Sequence, residues 1–499
     1  MVAPEVTYVT RQAQPSEFHD REAARRAERT AEYDRFADDR DRWRAKNAAY
    51  YRNIEQLVRF VVPKHANVLE IGSGTGDLLA ALEPATGLGV DISPKLVDIA
   101  RRKHPRLDFA VADAETLDSP ELAGRTFDYV VMSDVVGNVY DVWNALRAAR
   151  SVCHARTRVV ITYYNFVWEP LLKLGERVGV KMPIRQQNWL GRHDLENLLE
   201  LNHFEIIRSG TAQLAPVDVP GAGFANRYLA QAPGLRHFAL TQYFVCKLAN
   251  AGGPILTRDY SCSIVVPCKN ERGNVDDIVA RTPDLGKRTE LIFVDGNSND
   301  GTVEAIEKHI AAGTRPGMRL IHQGDGKGKG DAVRKGFAAA TGDILFILDA
   351  DLTVPPEDLP KFYTAIAEGK AEFVNGTRLV YAMEGEAMRV LNSVGNKFFG
   401  LALSAILEQR LTDTLCGTKV LFRQDYERIA ANRGFFGDFD PFGDFDLLFG
   451  AAKQNLKIVE LPVRYRARVY GETKISRFRE GAILGRMTAL AFNRFKSAY

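Results

Sequence analysis

Residues 344–351 read ILFILDAD, a strand-forming apolar run that ends in two carboxylates, Asp349 and Asp351. Buried strands do not normally end in paired, unneutralised acids. The pair suits a hard divalent cation, Mg2+ or Mn2+. Such an ion bridges the phosphates of a nucleoside diphosphate and neutralises charge on a leaving group. Upstream, GDGKGKGDAVRKGF sets Lys327, Lys329, Arg334 and Lys335 among glycines. Flexible cationic backbone of this kind suits phosphate, although alone it reads as a solvated basic loop. SIVVPCKNE ends a strand in Pro267, Asn270 and Glu271, and IFVDGNSNDGT places Asp295 at a strand end and Asp300 in the loop after it. Asp-x-Asp alone is a common pattern. In the order Pro-x-x-Asn-Glu, Asp295, Gly-Lys-Gly, Asp-x-Asp it becomes specific.

A second constellation lies nearer the N-terminus. VLEIGSGTGD puts Gly72, Gly74 and Gly76 directly after a strand, which permits a tight turn and close approach of a ligand to backbone. Position 77 is Asp where the dinucleotide fingerprint has its last glycine. Together with Glu70 it would repel a pyrophosphate, and both acids suit the ammonium and sulfonium of S-adenosylmethionine. Asp91 ends the next strand, 19 residues on (91 − 72), where an acid accepts ribose hydroxyls. Asp113, in VADAE, is placed to receive an adenine amino group. FDYVVMSDVV adds Asp128, Ser133 and Asp134.

The elements that must hold these residues are α/β. NVLEIG, TGLGVDI, LDFAVAD, FDYVVMSD and TRVVITYY read as strands with helical segments between them, and such alternation implies a parallel sheet covered on both faces. The stretch 213–236, rich in Pro, Gly and Ala, interrupts the pattern before a last strand in FALTQYFVCKLA. NAGGPILTRDY (250–260) reads as a linker, after which CSIVVPC, ELIFVDG, RLIHQ and ILFILDADL open a second series. The expected domains are a charged helical extension (1–44), a first α/β domain (45–250), a linker (251–260), a second α/β domain (261–478) and a basic amphipathic tail (479–499). The aromatic-studded helical stretch 20–60 reads as a surface helix with a packing face or as a lid over a ligand.

Composition bounds the function. The chain has 499 residues, 45% hydrophobic and 26% charged, with a formal net charge of +3. That is a folded globular chain of two or three domains, with no global field for nucleic acid. Five scattered cysteines without a Cys-x-x-Cys pair imply reduced thiols, neither zinc nor a disulfide frame, and a cytosolic chain. The N-terminal segment is densely charged, unlike a signal peptide. The longest apolar candidate, FFGLALSAIL (398–407), is too short to span a bilayer, so any membrane association is peripheral.

Residues 45–210 resemble a class I S-adenosylmethionine-dependent methyltransferase, through the glycine loop, the strand ends at Asp91 and Asp113, and WLGRHDLENLLELNHFEII. The resemblance implies a Rossmann-like sheet, with Glu70, Gly72, Gly74, Gly76, Asp91, Asp113 and Ser133 on the cofactor. Residues 261–478 resemble glycosyltransferase family 2, in particular the polyprenyl-phosphate (dolichol-phosphate) mannosyl- and glucosyltransferases. That resemblance implies a GT-A-type fold with Pro267, Asn270, Glu271, Asp295, Asp300, Lys327 and Lys329 on the nucleotide-sugar and Asp349 and Asp351 on the nucleotide or the metal. NGTR, LTDTLCGTK and RVYGETK match further family elements. They imply Arg378 on phosphate, Asp413 and Lys419 on the acceptor side, and Arg468 and Lys474 on diphosphate or acceptor phosphate. Thr353 stands where the family often has Gln, which leaves a third side-chain metal ligand open.

The acceptors are less legible. Transfer to a hydroxyl needs a general base, and Asp444 or Asp446 in DFDPFGDFDLLF could supply it, although the preceding Glu of the family is Gly443 here. A lipid phosphate is already an anion and needs only cations, such as Arg378, Arg389, Arg468 and Lys474. Residues 386–407 have the spacing of an interfacial amphipathic helix, with Met388, Leu391, Val394, Phe398, Leu401 and Ile406 beside Arg389 and Lys397. The tail reads the same way, or as core packing, or as a homo-oligomer interface. On the methyl side, His193 is either a base or a helix-start residue, and Tyr163, Tyr164, Asn165 and Trp168 are either pocket walls or packing. The expected whole is a bifunctional methyltransferase and inverting glycosyltransferase, acting on polyprenyl phosphate or another glycan acceptor at the inner face of the membrane. The alternative is a polysaccharide glycosyltransferase with a non-catalytic methyltransferase-like module.

Overall fold

A computed structural model describes residues 15–183, 187–230, 232, 234–249, 259–326, 328–378, 390–435, 445–463, 465, 470 and 477–496. Contacts divide the chain into two compact units, Met1–Leu198 with Pro216–Val219 and Leu199–Ala215 with Pro220–Tyr499.

In the first unit three helices, α1 (Pro15–Phe36), α2 (Arg40–Lys46) and α3 (Ala48–Val61), precede an alternating series. It runs β1 (Asn67–Ile71), α4 (Asp77–Ala81), β2 (Thr86–Asp91), α5 (Pro94–Lys103), β3 (Asp108–Val111), β4 (Phe127–Ser133), α6 (Val142–Ser151), β5 (Cys153–Tyr164), α7 (Glu169–Arg177) and α8 (Arg192–Leu201). These five strands lie in the order β3-β2-β1-β4-β5 within a seven-stranded sheet, and every neighbouring pair among the five is parallel. The central strands are buried on both faces, which is why NVLEI and FDYVVMS read as nearly continuous apolar runs. Helix starts follow local chemistry. Ser93 accepts from Leu96 N ahead of Pro94, and Asp141 accepts from Trp143 N and Asn144 N. Strand order reverses between β1 and β4, and that crevice is where such sheets hold ligands.

The second unit takes β6 (Phe204–Ala212), the short α9 (Ala222–Phe224) and β7 (Thr241–Leu248), with β6 and β7 paired antiparallel. It continues with β8 (Ser261–Cys268), α10 (Val275–Arg281), β9 (Arg288–Asp295), α11 (Thr302–Ala311), β10 (Met318–His322), α12 (Gly328–Ala339), β11 (Ile344–Ile347) and α13 (Leu359–Ala367). It closes with β12 (Phe373–Thr377), α14 (Val390–Leu407), β13 (Lys419–Phe422), α15 (Arg423–Ala431), α16 (Phe445–Lys453), β14 (Ile458–Pro462) and α17 (Arg477–Lys496). A seven-stranded sheet has the order β10-β9-β8-β11-β13-β12-β14. It is mixed, because β13 runs antiparallel to both β11 and β12. β12, β13 and β14 are four or five residues long, too short to show a period in the sequence.

Helix α17 packs on α14 and α16, burying Leu484, Met487, Ala491 and Phe495. Helix α14 buries Leu403, Ile406 and Leu407 but leaves Phe398 and Leu401 65% and 73% exposed. Among the described residues no helix is long and apolar enough to cross a membrane.

A buried ionic cluster ties β6 and β7 to these helices. Glu408, just past α14, accepts from Arg208 Nε at 3.0 Å and Nη2 at 2.9 Å, and also from Tyr243 and Lys496. Burial alone would raise the Glu408 pKa, but Lys496 and Arg208 outweigh it and hold the carboxyl below its ordinary range. Removing one partner of such a cluster strands the others. Glu408→Gln should therefore destabilise the protein by about 3 kcal/mol or more, read as a lowered midpoint of chemical denaturation. An unchanged midpoint would contradict the cluster's structural role.

Candidate active sites

In the first unit a pocket opens over the loop after β1, lined by Glu70, Gly72, Gly74, Asp77, Asp91, Asp113, Ser133 and Asp134 among others. Gly72 has φ +75°, and a Cβ there would strike a Val135 methyl. Gly76 is not a lining residue. It starts α4, and a Cβ there would overlap the Phe109 ring. Asp91 accepts from Gly74 N at 2.9 Å and Ser93 N at 3.0 Å, so it fixes the loop and faces the pocket. Asp113 accepts from Glu115 N and from Arg26 Nε, both at 3.0 Å. Ser133 Oγ lies 3.0 Å from Thr162 Oγ1.

The electrostatics call for a cation. Glu70 is 3% exposed and accepts from Leu79 N. Burial pushes its pKa up to about 8, against the opposing pull of that bond and of Arg44. Burial also raises Asp91. A positively charged ligand would relieve both, so the donor set fits a sulfonium or ammonium group.

The N-terminal helices form part of this wall. Arg29, Tyr33, Arg40, Arg44 and Tyr51 all line the pocket, so the helical extension is a pocket cover as well as a packed surface. Its sequence did not separate the two because pocket-facing Arg and Tyr look like solvated helix residues. Asp134, named from the sequence without an assigned role, stands just past the end of β4 with φ +59°, an uncommon conformation for a residue with a side chain. Its Oδ2 accepts from Tyr50 OH at 2.7 Å, while Oδ1 is buried with no partner among the described residues. Burial raises its pKa to about 6, against Tyr50, Arg40 and Lys181. Tyr164 packs on the Tyr50 ring at 5.4 Å. Tyr163 is a core residue and Asn165 accepts from Val167 N. His193, 93% exposed and bonded to Glu196, is a helix-start residue.

In the second unit, strand register brings the expected loops to one sheet edge. Val265 of β8 lies beside Ile347 of β11, and Cys268 lies beside Asp295 of β9. Pro267 is within β8, opposite Val294. Asp295 accepts from the backbone N–H of Asn297 and Ser298. Asn270 N bonds Ser298 Oγ and its Oδ1 accepts from Asn299 N. Glu271 N bonds Thr302, and Asp300 accepts from Arg272 N and Thr302. Asn270, Asn297 and Leu352 all have φ near +60°, at 59°, 61° and 54°. Strained backbone therefore gathers at the ends of β8, β9 and β11.

Asp349 pairs with Lys329 Nζ at 2.6 Å. Burial would raise its pKa, but Lys329, Lys419 and Arg378 hold it below the ordinary carboxylate range. The pair lies against Gly417, where a Cβ would overlap both Asp349 Oδ2 and Lys329 Nζ. Asp351 Oδ1 accepts from Thr353 N at 3.1 Å and Thr353 Oγ1 at 2.8 Å. Thr353, where the resemblance offered a possible third ligand, thus positions Asp351. Among the described residues no three His, Cys, Asp or Glu side chains cluster as a metal cage. Two carboxylates fit an ion that takes its other ligands from water and phosphate, as Mg2+ does.

Arg378 makes a two-point bond to fully buried Asp413, at 2.7 Å and 2.8 Å. Lys419 is buried and donates to Cys416 O. Asp446, 8% exposed, bonds Arg433 Nε at 2.7 Å. Lys327, Arg389, Asp444, Arg468, Lys474 and most of the expected linker lie outside the described residues.

Two α/β units, each with acid-bearing loops at the carboxyl ends of parallel strands, define a chain of two ligand-binding transferase-type domains. Family models refine this: glycosyl transferase family 2 matches residues 263–429 and a methyltransferase domain matches residues 41–209. The dolichol-phosphate mannosyltransferase of Saccharomyces cerevisiae is 38% identical over 121 residues, 23% of this chain and 44% of that protein, so the chain spans under half of it. The dolichyl-phosphate hexose transferase of Haloferax volcanii is 30% identical over 227 residues, 45% of this chain and 90% of that protein. A Thermotoga maritima structure described as an S-adenosylmethionine-dependent methyltransferase, possible histamine N-methyltransferase, aligns with 43% of this chain and 98% of its own, at 19% identity and TM-score 0.35. The chain belongs to glycosyl transferase family 2 and carries a methyltransferase domain ahead of that domain.

Because folding keeps a proton on Glu70 up to about pH 8, and the unfolded chain loses it near 4.5, this group's contribution to stability falls as pH rises between those values. Carboxyl NMR of ligand-free protein, compared with Glu70→Gln, should show one group titrating near pH 8. Titration in the ordinary glutamate range would contradict the cation-seeking pocket.

Proposed function

We propose that the C-terminal domain transfers a hexose from a nucleotide-sugar to a polyprenyl phosphate with inversion, and that the N-terminal domain transfers a methyl group from S-adenosylmethionine to the glycan or glycolipid. The observation that carries the first half is the Asp349–Lys329 pair seated on Gly417, with Asp351 held beside it by Thr353.

In this reading Asp351, with Asp349 beside it, holds a divalent cation, which supplies charge neutralisation at the departing diphosphate. Lys329 keeps Asp349 ionised and oriented. Asn270, Glu271, Asp295 and Asp300 form a loop set, stiffened by its own hydrogen bonds, that receives the nucleoside. Asp413 fixes one edge of the Arg378 guanidinium, leaving the group oriented for phosphate. The acceptor phosphate is already an anion and needs no base. Asp446, the candidate base for a hydroxyl acceptor among the described residues, is paired with Arg433, which supports the lipid-phosphate reading, as does the similarity to dolichol-phosphate mannosyltransferase and dolichyl-phosphate hexose transferase. Exposed Phe398 and Leu401 on α14 suit contact with the lipid at the membrane's inner face.

On the methyl side, Glu70 meets the positive charge of S-adenosylmethionine, Asp91 the ribose hydroxyls, and Asp113, shared with Arg26, the adenine amino group. Gly72 and Gly74 admit the ligand to the backbone. Asp134, with one oxygen unpartnered among the described residues and a pKa near 6, accepts the proton of the hydroxyl that is methylated as the methyl group transfers.

The test is release of nucleotide from GDP-mannose, UDP-glucose and UDP-N-acetylglucosamine, with and without short polyprenyl phosphate and Mn2+. One donor should be consumed only with lipid phosphate and metal. Asp351→Asn should slow that turnover by about 10²-fold or more, and Asp446→Asn by under about tenfold. A larger loss at Asp446 would transfer the reading to a hydroxyl acceptor. Asp134→Asn should keep calorimetric S-adenosylmethionine binding and lose methyl transfer, and loss of binding would refute its role as base.

A further inference from the structure

Three cations line the pocket of the first unit, Arg29, Arg40 and Arg44, against five acids, Glu70, Asp77, Asp91, Asp113 and Asp134. Two of the three are already matched. Arg29 Nη1 pairs with Glu115 at 2.7 Å, and Arg44 stands 3.5 Å from Asp77 and 4.0 Å from Glu55. Arg40 has no carboxylate in hydrogen-bond or ion-pair range among the described residues. Its one side-chain bond is to the thioether of Met182, 3.8 Å from Nη1. A thioether is a weak acceptor, so a guanidinium with five donors has hardly any partner in the protein.

Arg40 lies over the loop expected to hold the methyl donor. A Cβ on Gly74 would stand 3.9 Å from Arg40 Nε, and Gly74 N is bonded to Asp91. Burial raises the pKa values of Asp91 and Asp134, and the Arg40 charge opposes the rise at both. Nothing in the local helix asks for that charge. Arg40 is the first residue of α2, where the helix dipole favours an acid. Its support is fixed on either side. Asp34 of α1 accepts from Ser93 Oγ just past β2, Asp41 pairs with Lys103 of α5 at 2.8 Å, and Lys46 donates to Gly179 O. Arg40 also precedes the matched methyltransferase domain, which begins at residue 41, and it is not among the cofactor residues that the family resemblance implies.

S-adenosylmethionine carries a sulfonium, an ammonium and a carboxylate. The acids of this pocket suit the first two and repel the third. An unpaired carboxylate in such a place is costly, and a planar guanidinium can hold one at two points. We propose that Arg40 binds the carboxylate of S-adenosylmethionine, so that the N-terminal extension completes the donor site as well as covering it. A carboxylate on the methyl acceptor is the other source of this chemistry. The place of Arg40 over Gly74 and near Asp91, the expected ribose acid, favours the donor. The proposal rests on the reading of this pocket as the S-adenosylmethionine site.

The test is calorimetry of the full chain with S-adenosylmethionine and with decarboxylated S-adenosylmethionine, which keeps the sulfonium and the ammonium. Wild type should bind S-adenosylmethionine about tenfold or more tightly than the decarboxylated ligand. Arg40→Gln should lose that preference, binding S-adenosylmethionine about tenfold or more weakly than wild type and the decarboxylated ligand no worse. Arg40→Lys, which keeps the charge but not the fork, should lie between the two. It reads the same ratio should Arg40→Gln lose its thermal transition. A merely structural Arg40 would weaken both ligands together and leave their ratio at the wild-type value, which overturns the proposal. Wild type that binds the two ligands alike also overturns it and leaves the donor reading standing. Wild type that binds neither refutes the donor reading and this proposal with it.

Discussion

A carboxylate buried at the end of a parallel strand is tolerable only beside a positive charge, and both units are arranged around that requirement. The second unit meets it internally. Lys329 reaches Asp349 across the space that Gly417 leaves, and the carboxyl stays ionised. The first unit meets it only in part. Glu70 has one backbone donor and a distant arginine, and burial keeps its pKa near 8. One site is poised with its charge in place, while the other waits for its ligand to bring the charge. A metal-bridged diphosphate and a sulfonium are the respective guests that this difference fits.

Much of this was legible in the sequence, for physical reasons. Strands buried on both faces must be continuously apolar, so β1, β4, β8 and β11 announce themselves, and an acid ending such a run stands out. The glycine loop was legible because Gly72 needs both a positive φ and a missing Cβ. What was illegible depends on partners distant in sequence. Nothing near Arg378 predicts that Asp413 grips it, and nothing in the helical extension predicts that Tyr33 and Arg40 face the pocket of β1. Asp134 was visible as a residue, but its standing comes from Tyr50, 84 positions away. The short strands β12 to β14, and the reversed direction of β13, leave no periodic trace.

The buried cluster at Glu408 bears on how the chain is assembled. β6 and β7 follow the methyltransferase-type strands in sequence, yet Arg208 and Tyr243 share one carboxylate with Lys496 near the end of α17. The second unit is therefore completed by residues placed before its own first parallel strand. Such a cluster contributes little net stability but penalises every arrangement that leaves a member unpaired.

The central claim is that the two domains modify one lipid-linked glycan. Its most direct test is mass spectrometry of lipid products from the full chain, incubated with the three nucleotide-sugars, short polyprenyl phosphate, Mn2+ and methyl-labelled S-adenosylmethionine. The account predicts a single lipid carrying both a hexose and the labelled methyl group. A hexosyl lipid that stays unlabelled while S-adenosylmethionine binds would contradict it.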